Sequence, residues 1–312
     1  MTEHREQHVF GPVPSRRLGR SLGVDLVPFK VCPLDCVYCQ LGRTTVKTLE
    51  RRDYVPVDEV VEDVAAALAG GADPDYITLS GSGEPTLHSR LGEIIAGIKS
   101  QTDVPVTLLT NGILLYRKDV RNDAACADLV IPSFDAPNAE LFERINRPHG
   151  EIDFDRFVDG LVQFRRSYTG RIWLEVFLLK GVNDSTAAIH EFQQHIRRIR
   201  PDRIQLNTAV RPTAEPEALA VPPAELDRLC ELFGPEASVV ADYRGSPVGA
   251  DIAATRERVL ALLQRRPCTL EDVANGIGAH RNDVTKHVTA LLQSGEIVAE
   301  RRDEQTYYRA CG

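Results

Sequence analysis

The chain has 312 residues (34.5 kDa), of which 43% are hydrophobic and 26% charged, with a net charge of −8 and an isoelectric point near 5.6. That is room for one large domain and one small one of ordinary globular composition, and the acidic balance excludes a global electrostatic attraction to nucleic acid. No apolar run approaches the roughly 20 residues that cross a bilayer. The polar opening Met1-Thr2-Glu3-His4-Arg5-Glu6-Gln7-His8 has no signal-peptide core, so a cytoplasmic protein without membrane contact is expected.

Residues 1–8 read as a frayed tail and 10–20 as a turn-rich basic lead-in. Within it Arg16 and Arg17 are either solvated or placed at the mouth of a site. Residues 21–28 form an aliphatic run ending at Pro28, which predicts a strand. A loop with three cysteines follows. Apolar spacing, acidic early turns and Gly70-Gly71 predict a helix over 57–68. Strands are predicted at 76–80, 104–110, 128–133, 171–179, 203–208 and 238–241. Helices are predicted at 91–98, 138–146, 153–167, 185–199 and 223–233. Strands alternating with helices mean βα units and an α/β fold with a mainly parallel sheet. Around 243–252 a turn-rich linker separates residues 1–245 from 253–312. The tail predicts a helix at 254–264, a second begun by Thr269 with Asp272 at the capping-box position, and a third at 281–293. Two short strands at 297–309 complete a helix-turn-helix plus hairpin. That arrangement is similar to winged-helix domains.

The chemistry concentrates in Cys32, Cys36 and Cys39, three of the seven cysteines within eight residues at C-x3-C-x2-C spacing. Three thiolates on one loop repel one another unless a cation neutralises them, and soft sulfur suits iron–sulfur clusters, zinc or Cu(I). Three is one short of a closed four-ligand site, so one metal corner stays open to substrate. A zinc site completed by a distant residue such as His88 is the competing reading, against which stands the usual paired C-x2-C spacing of zinc sites. For His88 itself, helix capping or solvent is the simpler reading. Cys126, Cys230, Cys268 and Cys311 are dispersed and read as free thiols of a reducing compartment.

With Tyr38 directly before the last cysteine, these residues resemble the radical S-adenosylmethionine (SAM) superfamily, and the resemblance extends over roughly residues 9–245. It implies a partial (β/α)6 TIM-like barrel carrying the small C-terminal winged helix-turn-helix domain. It also implies that the three cysteines hold a 4Fe-4S cluster whose fourth iron is chelated by SAM. Ser80-Gly81-Ser82-Gly83-Glu84-Pro85, one strand later, corresponds to the superfamily's glycine–glutamate loop, whose backbone carbonyls accept from the SAM ammonium. Ser82 stands where the first glycine is usual. The resemblance assigns Tyr38, Ser82, Gly83, Glu84, Asn111, Ser133 and Asp135 to SAM or the substrate beside it. Turn formation at Asn111-Gly112 and helix capping by Asp135 are the plainer alternatives. Glu175, inside an apolar strand, must face polar space, and the barrel lumen offers it.

The runs 11–18, 80–88, 135–136 and 145–149 look most like the iron–sulfur oxidoreductase group related to the wyosine tRNA-base enzymes. The implied reaction is reductive cleavage of SAM to a 5′-deoxyadenosyl radical that takes hydrogen from a substrate, whether RNA base, peptide or metabolite. The electron would come from a reductase such as flavodoxin or ferredoxin. From Ala250 onward nine basic residues are offset by nine acidic ones, so the tail suits substrate or partner recognition better than DNA. The rival from another class is a cluster-bearing redox sensor regulating transcription through the winged helix. A SAM pocket would be of no use to it.

Overall fold

The computed structural model describes residues 8–15, 17–240, 255–277, 279, 281–302 and 305–311. The expectations for residues 1–7, Arg16 and the 243–252 linker lie outside them. His8, read as part of a frayed tail, is buried, and its amide donates to Asp63 Oδ2 at 3.1 Å.

The main sheet has eight strands. They are β1 (Val9–Ser15), β2 (Gly19–Val24), β5 (Tyr76–Leu79), β6 (Val106–Thr110), β7 (Leu129–Pro132), β8 (Arg171–Leu178), β9 (Arg203–Thr208) and β10 (Ala237–Val239), adjacent in that order. Between β2 and β5 the chain makes a small separate pair, β3 (Val31–Cys32) and β4 (Val46–Lys47). β1 is antiparallel to β2 and every later neighbour is parallel, so the seven strands expected from residue 21 onward all stand in the parallel part of the sheet. Sequence pattern could not announce β1, because a stretch with two prolines and a glycine reads as a turn. Its pairing is irregular between Phe10 and Val13.

Crossovers run through α1 (Val57–Ala69), α2 (Leu91–Lys99), α3 (Lys118–Ala124), α4 (Ala139–Ile145), α5 (Phe154–Ser167), α6 (Thr186–Ile199) and α7 (Pro223–Phe233). Strands buried throughout need no alternation, and β7 is buried at all four positions. The starts of α4, α5 and α6 follow from local capping. Asn138 accepts from the amide of Leu141, Asp153 from Arg156 and Ser185 from Ala188, each satisfying a donor the helix leaves free. Parallel strands all end on one side, and the functional loops gather there.

The tail forms α8 (Arg256–Arg265), α9 (Leu270–Ile277), α10 (Arg281–Gln293) and the antiparallel hairpin β11 (Ile297–Arg302) with β12 (Gln305–Ala310). Thr269 and Asp272 bond reciprocally at 3.1 Å, so the shorter carboxylate still closes the capping box. Its core of Val259, Leu263, Val273, Val284 and Leu291 also takes in Val13 from β1, with Phe10 packed beside it. The Tyr307 hydroxyl donates to Val210 O at 2.9 Å, and Arg302 donates to Ala218 O at 3.2 Å. Side-chain hydrogen bonds to backbone carbonyls and shared apolar burial thus seat the tail on the sheet's carboxyl side. No helix among the described residues is long and apolar enough to cross a membrane.

Candidate active site

The cysteine loop is clamped onto the run 145–149. The Asp35 amide donates to Asn146 O at 3.0 Å, Val37 to Ile145 O at 2.9 Å, and the His149 amide to Pro33 O at 2.8 Å. Inside the loop, Asp35 accepts from the Thr44 amide at 2.7 Å while the Thr44 hydroxyl donates to Leu34 O at 2.6 Å. Each sulfur then receives one side-chain N–H donor, each from a different part of the chain. Asn111 Nδ2 reaches Cys32 Sγ at 3.4 Å, Asn146 Nδ2 reaches Cys36 Sγ at 3.4 Å, and Lys30 Nζ reaches Cys39 Sγ at 3.1 Å. Burial pushes the Cys32 thiol up to about 12 and Cys36 well above the usual thiol range. Such sulfurs become thiolates only when a bound cation replaces the lost hydration.

Among the described residues no three His, Cys, Asp or Glu side chains are grouped to hold a single metal ion. A cluster takes one cysteine per iron and does not require them to meet. The mononuclear zinc reading also loses its fourth ligand. His88 is fully buried, its Nε2 donating to Val55 O at 2.9 Å and its Nδ1 accepting from the Arg90 amide at 3.2 Å. It is therefore neither a ligand nor solvated, and it braces the turn between residues 85–87 and α2.

The glycine–glutamate loop is built around two carboxylates. Glu84, 3% exposed, accepts at Oε1 from the Thr86 amide (3.1 Å), the Thr86 hydroxyl (2.5 Å) and the Thr110 hydroxyl (2.6 Å). At Oε2 it accepts from the Asn111 amide (2.8 Å). Burial pushes its pKa up against the pull of these donors. The Glu84 side chain is thus a structural knot between the loop and the end of β6, and only its backbone is left to meet a ligand. Ser82 has its own reason to be there. Its amide and hydroxyl both donate to Asp25, at 3.0 and 2.5 Å, which a glycine could do only by half. Gly83 lies so close to β3 that a Cβ would stand 2.3 Å from Val31 O.

Tyr38 and Asp135, assigned to the ligand by sequence, are paired with each other. Tyr38 stacks on Phe177 (centroids 4.0 Å apart, planes at 13°) and donates its hydroxyl to Asp135. Asp135, 2% exposed, also accepts from the Phe177 amide at 2.9 Å and Asn146 Nδ2 at 3.3 Å. It is not a helix cap; Asn138 fills that role. Asn111 likewise has its amide aimed at sulfur rather than into the cavity. Ser133 lines the cavity, as do Tyr38, Asp135 and Glu175. Glu175 does face polar space there, held by Arg17 at 2.7 and 3.0 Å and by Asn207 at 2.8 Å. The cavity measures about 360 Å³, and Leu262, Arg265 and Arg266 of the tail form part of its wall. Of the seven cysteines only Cys39 lines it. Lys30, Asn146 and Asp25 were missed by sequence reasoning. Asn146 lay within a run that looked family-like, whereas nothing local marked the other two.

Burial pushes the Asp135 carboxyl up to about 7, with Glu175 adding to it and the Tyr38, Phe177 and Asn146 donors opposing. An unfolded aspartate titrates near 3.9, so between about pH 4 and 7 the folded chain holds the extra proton. The stability this group contributes is full below about pH 4 and is lost as pH rises through 7, on the order of 3–4 kcal/mol in all. In the protein as purified without cluster, Asp135→Asn is expected to flatten the pH dependence of urea unfolding across that window. An unchanged slope would refute the assignment.

Three comparisons bear on this geometry. The family model described as the Radical SAM superfamily matches residues 26–192. A protein named GTPase Obg from Brachyspira hyodysenteriae is 40% identical over 299 residues, 95% of this chain, which spans 44% of that protein. A UPF0026 protein from Helicobacter pylori strain J99 is 32% identical over 309 residues, 97% of both chains. Among solved structures, a radical SAM methyltransferase from Sphaerobacter thermophilus has the same fold over 70% of this chain and 66% of its own (TM-score 0.52, 19% identity). With more than half its length matched by one family model and a relative aligned nearly end to end, the chain belongs to the radical SAM superfamily, whose enzymes use a 4Fe-4S cluster and SAM, and has UPF0026 proteins as its relatives.

Proposed function

We propose that Cys32, Cys36 and Cys39 hold the cluster, that the backbone of Ser82–Glu84 meets SAM, and that a substrate occupies the adjoining cavity and loses a hydrogen atom there. The observation that carries this reading is the set of three half-buried cysteines, each sulfur with its own N–H donor and, among the described residues, none grouped with a fourth protein ligand. The residues fit the group: the sulfurs are soft donors, and the donors to them offset part of the charge a reduced cluster would carry. When bound, the cluster and SAM supply one-electron cleavage of the sulfonium carbon–sulfur bond and a hydrogen-abstracting radical.

The chain's own part is to position and to enclose. We read the seven parallel strands as an incomplete barrel and the tail as a winged-helix module closing its mouth. Ser80, Ser133 and Asn207 at the strand ends offer hydroxyls and an amide to ribose or carboxylate oxygens. Arg17 neutralises Glu175, so that carboxylate is not a free charge on the wall. A cavity of about 360 Å³ takes a single base, an amino-acid side chain or a small metabolite. This is the span of substrates expected for an oxidoreductase or transferase grouped with the wyosine-related enzymes. A reductase such as flavodoxin or ferredoxin would deliver the electron in the cytoplasm. Nothing in the comparisons favours the transcriptional sensor, and the tail's seat on the cavity wall uses surface that a regulator would leave open.

The test is anaerobic reconstitution with iron and sulfide, then dithionite and SAM. 5′-Deoxyadenosine is the expected product. A protein that carries the cluster and yields none would overturn the reading.

A further inference from the structure

Arg265 is the last residue of α8, and it reaches across to the other part of the chain. Its Nη1 meets Asp25 Oδ2 at 3.0 Å, with side-chain exposures of only 17% and 14%. Its guanidinium also lies 3.7 Å from the centroid of the Phe10 ring, which fills the space above Gly23. Both partners come from the edge of the main sheet. Asp25 directly follows β2, and its two oxygens are the acceptors for Ser82's amide and hydroxyl. The fit around that carboxylate is tight, since a Cβ on Gly81 would stand 2.6 Å from it. Arg265 therefore ends a line of bonds running from the tail, through one carboxylate, into the loop that precedes Glu84.

We propose that Arg265 is a positioning residue for SAM: docked on Asp25, it fixes the carboxylate that sets the Ser82–Gly83 backbone. The SAM loop is then in its binding conformation only while the tail is seated. The inference rests on the reading of residues 82–84 as the SAM-contacting loop. An isolated carboxylate holding two donors can swing with the loop it serves. A carboxylate also pinned by a buried guanidinium between a ring and a strand cannot. The tail would then act on the cofactor site directly as well as walling the substrate cavity.

The experiment compares SAM binding, by equilibrium dialysis with labelled SAM, for cluster-loaded wild type, Arg265→Gln, Arg265→Lys and Arg302→Gln. Arg302 also docks the tail, through Ala218 O, but is not part of the line to Ser82. Losing one charged hydrogen bond predicts binding weakened about tenfold in Arg265→Gln, partial recovery in Arg265→Lys and no change in Arg302→Gln. Iron content should stay as in wild type, and the loss of SAM affinity in Arg265→Gln should exceed that in Arg302→Gln even where both variants lower the urea midpoint. Wild-type affinity in Arg265→Gln overturns the proposal, as does equal weakening by Arg302→Gln, which would reduce Arg265 to one docking contact among several. If cluster-loaded wild type itself fails to bind SAM, the functional reading falls first and the proposal with it.

Discussion

Cys32→Ala, Cys36→Ala and Cys39→Ala are each expected to leave a folded protein that retains no stable 4Fe-4S cluster after anaerobic reconstitution and forms no 5′-deoxyadenosine. The reasoning is one of numbers. With three protein ligands the site has no spare, and each sulfur sits on a separately anchored part of the loop. Folding should survive because the loop is held mainly by backbone bonds, from the Asp35 and Val37 amides to the 145–149 run and from the His149 amide of that run back to Pro33 O, which the alanines leave in place. Asn146→Ala gives the graded control. It removes the donor to Cys36 and one donor to Asp135 while keeping the backbone clamp. Loss of such a supporting partner typically costs about 10–100-fold in metal affinity or activity. A donor to sulfur also favours the more negative reduced state, so the midpoint potential should fall. Iron and sulfide analysis with a redox titration reads both outcomes. Full iron content in any cysteine variant would remove that residue from the site.

The contrast between what local sequence revealed and what it did not has a physical basis. Cysteine spacing, helix caps and the apolar strands were legible because they depend on neighbours a few residues apart. Thr269 and Asp272 bond as their spacing predicts. The donors to sulfur were not legible, since Asn111 and Asn146 lie 79 and 110 residues from the cysteines they serve. A family pattern brings a residue to the site without saying which atom does the work. Tyr38 and Asp135, expected to meet a ligand, line the cavity and also bond to one another across 97 residues. β1 escaped notice for a related reason. Its prolines argue against a strand, and the compensation comes from an edge position with only one paired neighbour, and from Val13 and Phe10 packing into the tail's core. Ser82 looked like a departure from a pattern, and only the position of Asp25 explains it.

Glu84→Ala should do more damage than any other single change in the glycine–glutamate loop. Four donors converge on the carboxylate: two hydroxyls, which can turn elsewhere, and the amides of Thr86 and Asn111, which cannot. The site is buried, so water does not freely replace the lost acceptor. Each stranded amide costs about 1–3 kcal/mol, which puts the loss at roughly 2–6 kcal/mol. Against a total stability of about 5–15 kcal/mol this is severe. Glu84→Gln separates charge from acceptor geometry. With its oxygen at the Oε1 position it keeps three donors satisfied, but its amide nitrogen then faces the Asn111 N–H, so a loss of about 1–3 kcal/mol is expected. In both variants the Asn111 backbone is freed from Oε2, and the side-chain amide it aims at Cys32 is left held only by the Ile113 amide. Cluster retention should therefore fall in the order wild type, Gln, Ala, in step with the urea midpoint. An alanine variant as stable as wild type would show that solvent reaches these donors, and the carboxylate would then have to be read as a ligand-facing group.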